Sequence, residues 1–219
     1  MRRLLLAAVA GALLAAGCGD DEEAATQARV YFLQEGKVWP VDREIEASDD
    51  MTTALVRELA DGPTEQEQEL MGLTTEVPES QDEQLSDAGL AQYVFTMTQF
   101  SLDEPVEVDG QSYARADFED QTPSVLVESP LPFEEVETPL RVTGTANTFE
   151  ANFQYELLDS DGNVVDENFV TATSGTGTRG TFDFTTDAVD DLATLVVFES
   201  SAEDGSRIHE VEIPLSPAP

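Results

Sequence analysis

Residues 139–159, PLRVTGTANTFEANFQYELLD, decide the fold. Phe149, Ala151, Phe153, Tyr155 and Leu157 fall on one side of a period of two, and Glu150, Asn152, Gln154 and Glu156 on the other. That is the alternation of a strand with one face buried. Ahead of it Leu140, Val142 and Gly144 alternate with Arg141, Thr143 and Thr145, a second strand that reaches the first across 146–148. Behind it comes Ser160-Asp161-Gly162-Asn163, whose Asp-Gly pair suits a hairpin turn because both residues tolerate positive φ. An apolar face on each strand needs a facing sheet to cover it, so the region reads as an antiparallel β-sandwich.

The same pattern extends to either side. Candidate strands at 124–128, 140–145, 149–158, 164–171, 180–185, 194–200 and 208–215 are separated by turn residues, as a sandwich requires. This half has no cysteine and no tryptophan. Phe153, Tyr155, Val196 and Phe198 are therefore expected to fill its centre, and its stability to rest on apolar burial at about 25 cal/mol per Å².

Residues 28–116 have a mixed pattern. Val30 to Leu33 and Lys37 to Val41 read as two paired strands around Glu35-Gly36, the second ending at Pro40. Met51, Ala54, Leu55 and Leu59 recur at helical spacing, with Ser48, Asp49 or Asp50 as N-cap and Gly62-Pro63 as the stop. Thr64-Glu65-Gln66-Glu67 has the capping-box pattern of a second helix running toward Met71. A third helix is expected over 87–100 with Leu90, Tyr93, Val94, Met97 and Phe100 on its apolar face. Val106 and Val108 then lead into the turn Asp109-Gly110.

At the N-terminus, Met1-Arg2-Arg3 and the apolar run to Gly17 form a secretory signal, too short for a good membrane span. The only cysteine, Cys18, follows Leu14-Ala15-Ala16-Gly17, so no intramolecular disulfide exists. Residues 18–27 read as an acidic tether. The whole chain has 46 acidic and 10 basic residues, a formal charge of −36. Nucleic acid is excluded as a partner, because phosphate contacts need clusters of Lys and Arg.

Three resemblances follow from these residues. The end of the apolar run resembles the lipobox of bacterial lipoproteins, although Leu14 stands one place further back than the usual leucine. That resemblance implies that residues 1–17 are removed and that an acylated Cys18 holds the protein at the extracytoplasmic face of the cell membrane. VYFLQEGKVWPVDREI, TALVRELADGPTEQEQELMGL, EVP, LAQYVFTMTQF and PVEVDG together resemble the GerMN domain, a small α/β module of sporulation and germination proteins and of several bacterial surface lipoproteins. The short stretch 79–85 replaces the further strands usual in that family, which implies a reduced sheet. Beyond a linker at 117–123, residues 124–219 are similar to the immunoglobulin-like domain of bacterial spore germination proteins, in VESPLPFEEVETPLRVTGTANTFEANFQYELLDSDGNVV, TATSGTGTRGTFDFTTD and LVVFESSAEDGSRIHEVEIPL. The expected fold class is thus a small α+β N-terminal domain followed by an all-β immunoglobulin-like sandwich. Neither resemblance implies an enzyme; both imply interaction or assembly units.

Few residues invite chemistry. The stretch from Asp159 begins like a calcium loop, but Val164 and Val170 stand where glycine and a bidentate glutamate are needed, so a hairpin turn is expected. Residues 175–180, GTGTRG, lack the Lys-Ser/Thr of a phosphate loop and read as a flexible connection. His209 shares strand parity with Val211 and Ile213 and is expected to be structural. Trp39 reads as core packing. No catalytic residue, metal ligand or cofactor is expected. The reading is a non-catalytic envelope module whose partner is an envelope protein or a cell-wall component, with the hairpin 30–41 and the strand 208–215 as edges for pairing. The alternative is a receptor for a soluble ligand or cell-wall carbohydrate. It calls for a concave site lined by aromatics, where a module calls for flat patches or open edges.

Overall fold

The computed structural model describes residues 25–45, 50–78, 84–102, 104–189 and 191–217. Cys18, the signal segment and most of the tether lie outside them. The first two strands, β1 (Thr26–Gln34) and β2 (Lys37–Ile45), form a hairpin. Glu35 and Gly36 both take positive φ, 51° and 78°, which matches the turn to the right-handed twist of its strands. Thr26 and Gln27, read as tether, are the first residues of β1. Pro40 does not end β2 but sits inside it, opposite Tyr31. At that pair the Tyr31 N–H donates to Thr96 Oγ1 at 3.0 Å and its carbonyl accepts from Gln92 Nε2 at 3.1 Å. Both point away from β2, so the pair exchanges no ladder bonds and the missing N–H of Pro40 costs none.

Helices α1 (Met51–Asp61), α2 (Glu65–Met71) and α3 (Asp87–Met97) follow. Asp50 caps α1 by accepting from Thr53 N, and Gly62 at φ 84° ends it. The capping box of α2 forms: Thr64 accepts from Glu67 N, and Glu67 Oε2 accepts from Thr64 N at 2.8 Å. Arg43 of β2 grips the same carboxylate with both guanidinium nitrogens at 2.7 Å, which ties a seven-residue helix to the hairpin. Burial opposes ionisation of Glu67, but the Arg43 fork and the Thr64 N–H outweigh it and hold the carboxyl below its ordinary value.

Helix α3 turns a different face inward from the one its apolar spacing suggests. Ala91, Gln92, Val94, Phe95 and Thr96 are buried, whereas Phe100, in the 3-10 turn Thr98–Phe100, is 60% exposed. The reason is β1. Its outer edge carries N–H and C=O groups that need partners, and polar side chains spaced along one side of the helix supply them: Gln92 and Thr96 at Tyr31, and Gln99 at both backbone groups of Arg29. Leu33 completes the row by exchanging backbone bonds with Thr74. The hairpin edge expected to take up a partner strand is therefore already closed. A second hairpin, β3 (Val106–Val108) and β4 (Gln111–Tyr113), turns at Asp109-Gly110, again with both φ positive.

The stretch 117–123 is packed rather than loose. A 3-10 segment, Arg115–Gln121, buries Phe118. Arg115 reaches both halves, pairing with Glu128 at 2.7 Å and donating to Phe95 O, and Glu119 takes a fork from Arg179 of the C-terminal half at 2.9 and 3.0 Å.

The strands of the C-terminal half are β5 (Val125–Ser129), β6 (Glu135–Val136), β7 (Arg141–Ala146), β8 (Asn152–Asp159), β9 (Val164–Thr171), β10 (Gly180–Thr185), β11 (Leu192–Ser200), β12 (Arg207–Pro214) and β13 (Ser216–Pro217). Sheet order is β10-β7-β5 against β12-β11-β8-β9, an immunoglobulin-like sandwich, with a short parallel β13-β6 pair at its margin. All seven strands expected from the pattern are present. The link at 147–148 carries the chain from one sheet to the other, and Phe153, Tyr155, Phe182 and Phe184 meet between them, the last pair of Tyr155 and Phe184 stacked at 4.8 Å. Gly144 faces this cluster because nothing larger fits: a Cβ there would lie 2.1 Å from Leu126 O and 2.6 Å from the Phe182 ring.

Candidate interaction surfaces

Two places combine exposed apolar surface with polar groups. The first is the outer face of the four-stranded sheet. Phe149, assigned by alternation to the core, is 58% exposed, because 149–151 is a 3-10 turn in which Glu150 and Ala151 take positive φ and break the period of two. Beside it Phe169 of β9 is 71% exposed. Shallow hollows of about 440 and 280 Å³ flank this side chain, and Gln154 lines both. Phe198 and Val196, expected in the centre of the sandwich, lie on this face instead, because they pair with Gln154 and Glu156 while Leu195 and Val197 turn inward; the Arg207 guanidinium covers Phe198 at 4.2 Å. Arg207 is itself neutralised by Glu156 and by Glu210 at 3.3 Å. Strands β8 and β9 have no Lys or Arg, while Glu167 of β9 faces the same side as Gln154 and Phe169. The surface is apolar, amide-bearing and negative.

The second place is a cleft of about 800 Å³ between the two halves. Phe100 and Arg29 stand on the N-terminal side, and Leu131, Phe133 and Glu134 on the other. Arg29 makes no ion pair among the described residues. Asp42, also in the wall, has its carboxyl pushed up by burial and by the nearby Glu134 charge, against the pull of Arg43 and Arg29.

The residues singled out in the sequence are not brought together. His209 does not keep parity with Val211 and Ile213. It takes φ 53° in a β-bulge opposite Phe198, and its Nδ1 lies 2.9 Å from Glu199 Oε1 and 3.3 Å from Ser124 Oγ. Asp159 closes the expected hairpin turn by accepting from the Asn163 side-chain amide, Asn163 N and Asp161 N, and these bonds, that of the Asn163 side chain foremost, hold its carboxyl below the usual range. Only Gly162 of its Asp-Gly pair has positive φ. Residues 175–180 are not a flexible connection. A Cβ on Gly175 or Gly180 would lie within 2.6 Å of backbone atoms of Ala151 or Ser174, and Gly177 N donates to Asn147 Oδ1. Trp39 is core, fully enclosed, with its indole N–H unpartnered. Among the described residues no group of three or more His, Cys, Asp or Glu is placed to hold a metal ion. No described helix is long and apolar enough to cross a membrane.

The signal that sequence reasoning missed is Phe169. It sits at a solvent-facing position of β9 between the outward polar residues Glu167 and Thr171, and a large aromatic there marks the open face. No curated protein and no solved structure matches the chain. Residues 124–206, the sandwich that carries Phe149, Phe169 and Phe198, match the family model described as the immunoglobulin-like domain of bacterial spore germination.

Proposed function

We propose that the protein is a non-catalytic interaction module of the cell envelope, anchored at the extracytoplasmic face of the membrane through an acylated Cys18 and linked to sporulation or germination. The match of residues 124–206 to a spore-germination domain carries the reading. The open apolar face around Phe169 supports it, because a monomer in water does not benefit from displaying large aromatics side by side. We assign residues 28–116 to a shortened GerMN-like unit, so the chain displays two modules on one tether. Partners are an envelope protein or a cell-wall component. Cross-linking in the native envelope tests this: a defined adduct is expected with the wild type, and Cys18→Ser is expected to move the protein out of the membrane fraction and remove its lipid mass. No adduct, together with a variant that stays in the membrane, refutes it.

A receptor for a soluble ligand or a cell-wall carbohydrate is the second reading, favoured by the cleft with Phe100 and Phe133 in its lining beside Arg29, which makes no ion pair among the described residues. Soluble wall fragments that bind the wild type but not Phe100→Ala with Phe133→Ala decide for it.

A further inference from the structure

We propose that the outer edge of β9 is the docking site, and that its occupant is an extended, basic segment of a partner protein added as a fifth strand to the sheet β12-β11-β8-β9. The proposal rests on the reading of the chain as an interaction module and names the chemistry of the partner.

Four other strand edges are closed or interrupted by the chain itself. β1 is closed by Gln92, Thr96, Gln99 and Thr74. β2 carries Pro40 on its outer side. β12 is broken by the bulge at His209 and ends in Pro214. β10 exchanges bonds with Thr173, whose N–H donates to Thr181 O and whose hydroxyl accepts from Thr181 N. Among the described residues β9 has no such cover from Glu167 onward. Phe169 N donates to the neighbouring Asn168 side chain at 2.9 Å, so this N–H points away from β8, and the backbone groups of Glu167 and Thr171 share that direction by the two-residue period. Only one exposed amide side chain masks the row, and an incoming strand can displace it.

The occupant follows from charge and side chains. An added strand would set one residue beside Glu167 and another, two places along on the same face, beside Phe169. The first position favours Lys or Arg, since β8 and β9 offer no cation, and the second favours an apolar side chain that packs on the exposed Phe169 ring. A second copy of the chain is disfavoured, because two molecules of formal charge −36 repel one another while a basic chain is drawn in.

The test uses the full chain, isotope-labelled in detergent micelles, and a capped octapeptide, Thr-Lys-Thr-Val-Thr-Lys-Thr-Val, whose one face alternates lysine with valine. Saturable shifts are expected at the amides of Glu167, Phe169 and Thr171, weakening about tenfold as salt rises from about 0.05 to about 0.5 M. The same peptide with glutamate for lysine, or with alternate backbone nitrogens methylated, is expected to leave those amides unmoved. Glu167→Pro removes an outward N–H without touching the β8 ladder and is expected to abolish binding with the unfolding midpoint kept; Phe169→Ala is expected to weaken it at least about fivefold. Equal shifts from the methylated peptide, spread over the acidic surface, would show charge attraction alone and overturn the proposal. Concentration-dependent shifts of these amides without peptide would make a second copy the occupant and overturn it too. An envelope partner that cross-links equally to Glu167→Pro leaves the module reading standing and removes this edge from it, whereas no cross-linked partner at all removes the module reading itself.

Discussion

Replacing Gln92 by leucine tests the device that closes β1. Gln92 is fully buried, and its amide serves two segments: Nε2 donates to Tyr31 O at 3.1 Å, while Oε1 accepts from Glu76 N at 2.8 Å. Leucine has similar volume, so the substitution leaves little cavity and isolates the polar contribution. It strands the Tyr31 carbonyl inside the core, at a cost of about 1–3 kcal/mol. The Glu76 N–H belongs to an exposed residue and recovers water, so its loss adds only about 0.5–1 kcal/mol. The expected total is about 1.5–4 kcal/mol, read as a lower urea midpoint at unchanged slope. Amide exchange at Leu33, whose bonds to Thr74 lie next in the row, is expected to quicken. A loss below about 0.5 kcal/mol would refute the reasoning, because the edge of β1 would then be satisfied without the helix.

Gly144→Ala is expected to cost about 2–4 kcal/mol or to prevent folding of the sandwich, since the new methyl meets a backbone carbonyl that cannot rotate away; a thermal midpoint within a degree or two of the wild type would count against the close approach. Glu67→Gln is expected to cost about 2 kcal/mol at pH 7 by weakening the Arg43 fork. Because the folded carboxyl titrates below its ordinary 4.5, that contribution is complete above 4.5 and fades as the pH falls through the folded value. The gap between variant and wild type should then close in acid, and a gap that stays constant from pH 7 to about 3 would contradict it.

What the sequence disclosed was whatever depends on neighbours in the chain. The pairs Glu35-Gly36 and Asp109-Gly110, the capping box at Thr64 and Glu67, and the seven alternating strands were all legible, because turn chemistry and period are local. Most of the errors share one cause, which is that a distant segment decided the outcome. Gln92 and Thr96 look solvent-facing until β1 needs partners. Gly175 and Gly180 look like slack until the backbone at Ala151 and Ser174 is seen against them. Pro40 looks like a strand end until Tyr31 is seen to bond elsewhere. Phe149 and His209 fail for a local reason instead: positive φ at Glu150, Ala151 and His209 shifts each side chain off the strand's period, and no residue there announces it as glycine would.

The packing of 115–121 links the two candidate surfaces. Arg115 lies over the rings of Tyr31 and Phe95 at 5.1 and 4.8 Å while it pairs with Glu128, and Tyr31 donates to the same carboxylate oxygen at 3.0 Å. Glu128 lies on β5, so the first hairpin, α3 and the sandwich converge on one mostly buried carboxylate. Removing a partner from such a pair leaves a buried charge, a loss of about 3–5 kcal/mol, so the contact resists opening. The cleft walls descend from these same elements, with Arg29 on the strand of Tyr31 and Leu131 just beyond the end of β5. The spacing of the walls is consequently set by the Arg115 contact. Among the described residues nothing comparable reaches β9, which ends its sheet with only β8 beside it. Of the two surfaces, the cleft is braced for a ligand of fixed shape, and the edge of β9 is free to accept a chain that supplies its own backbone.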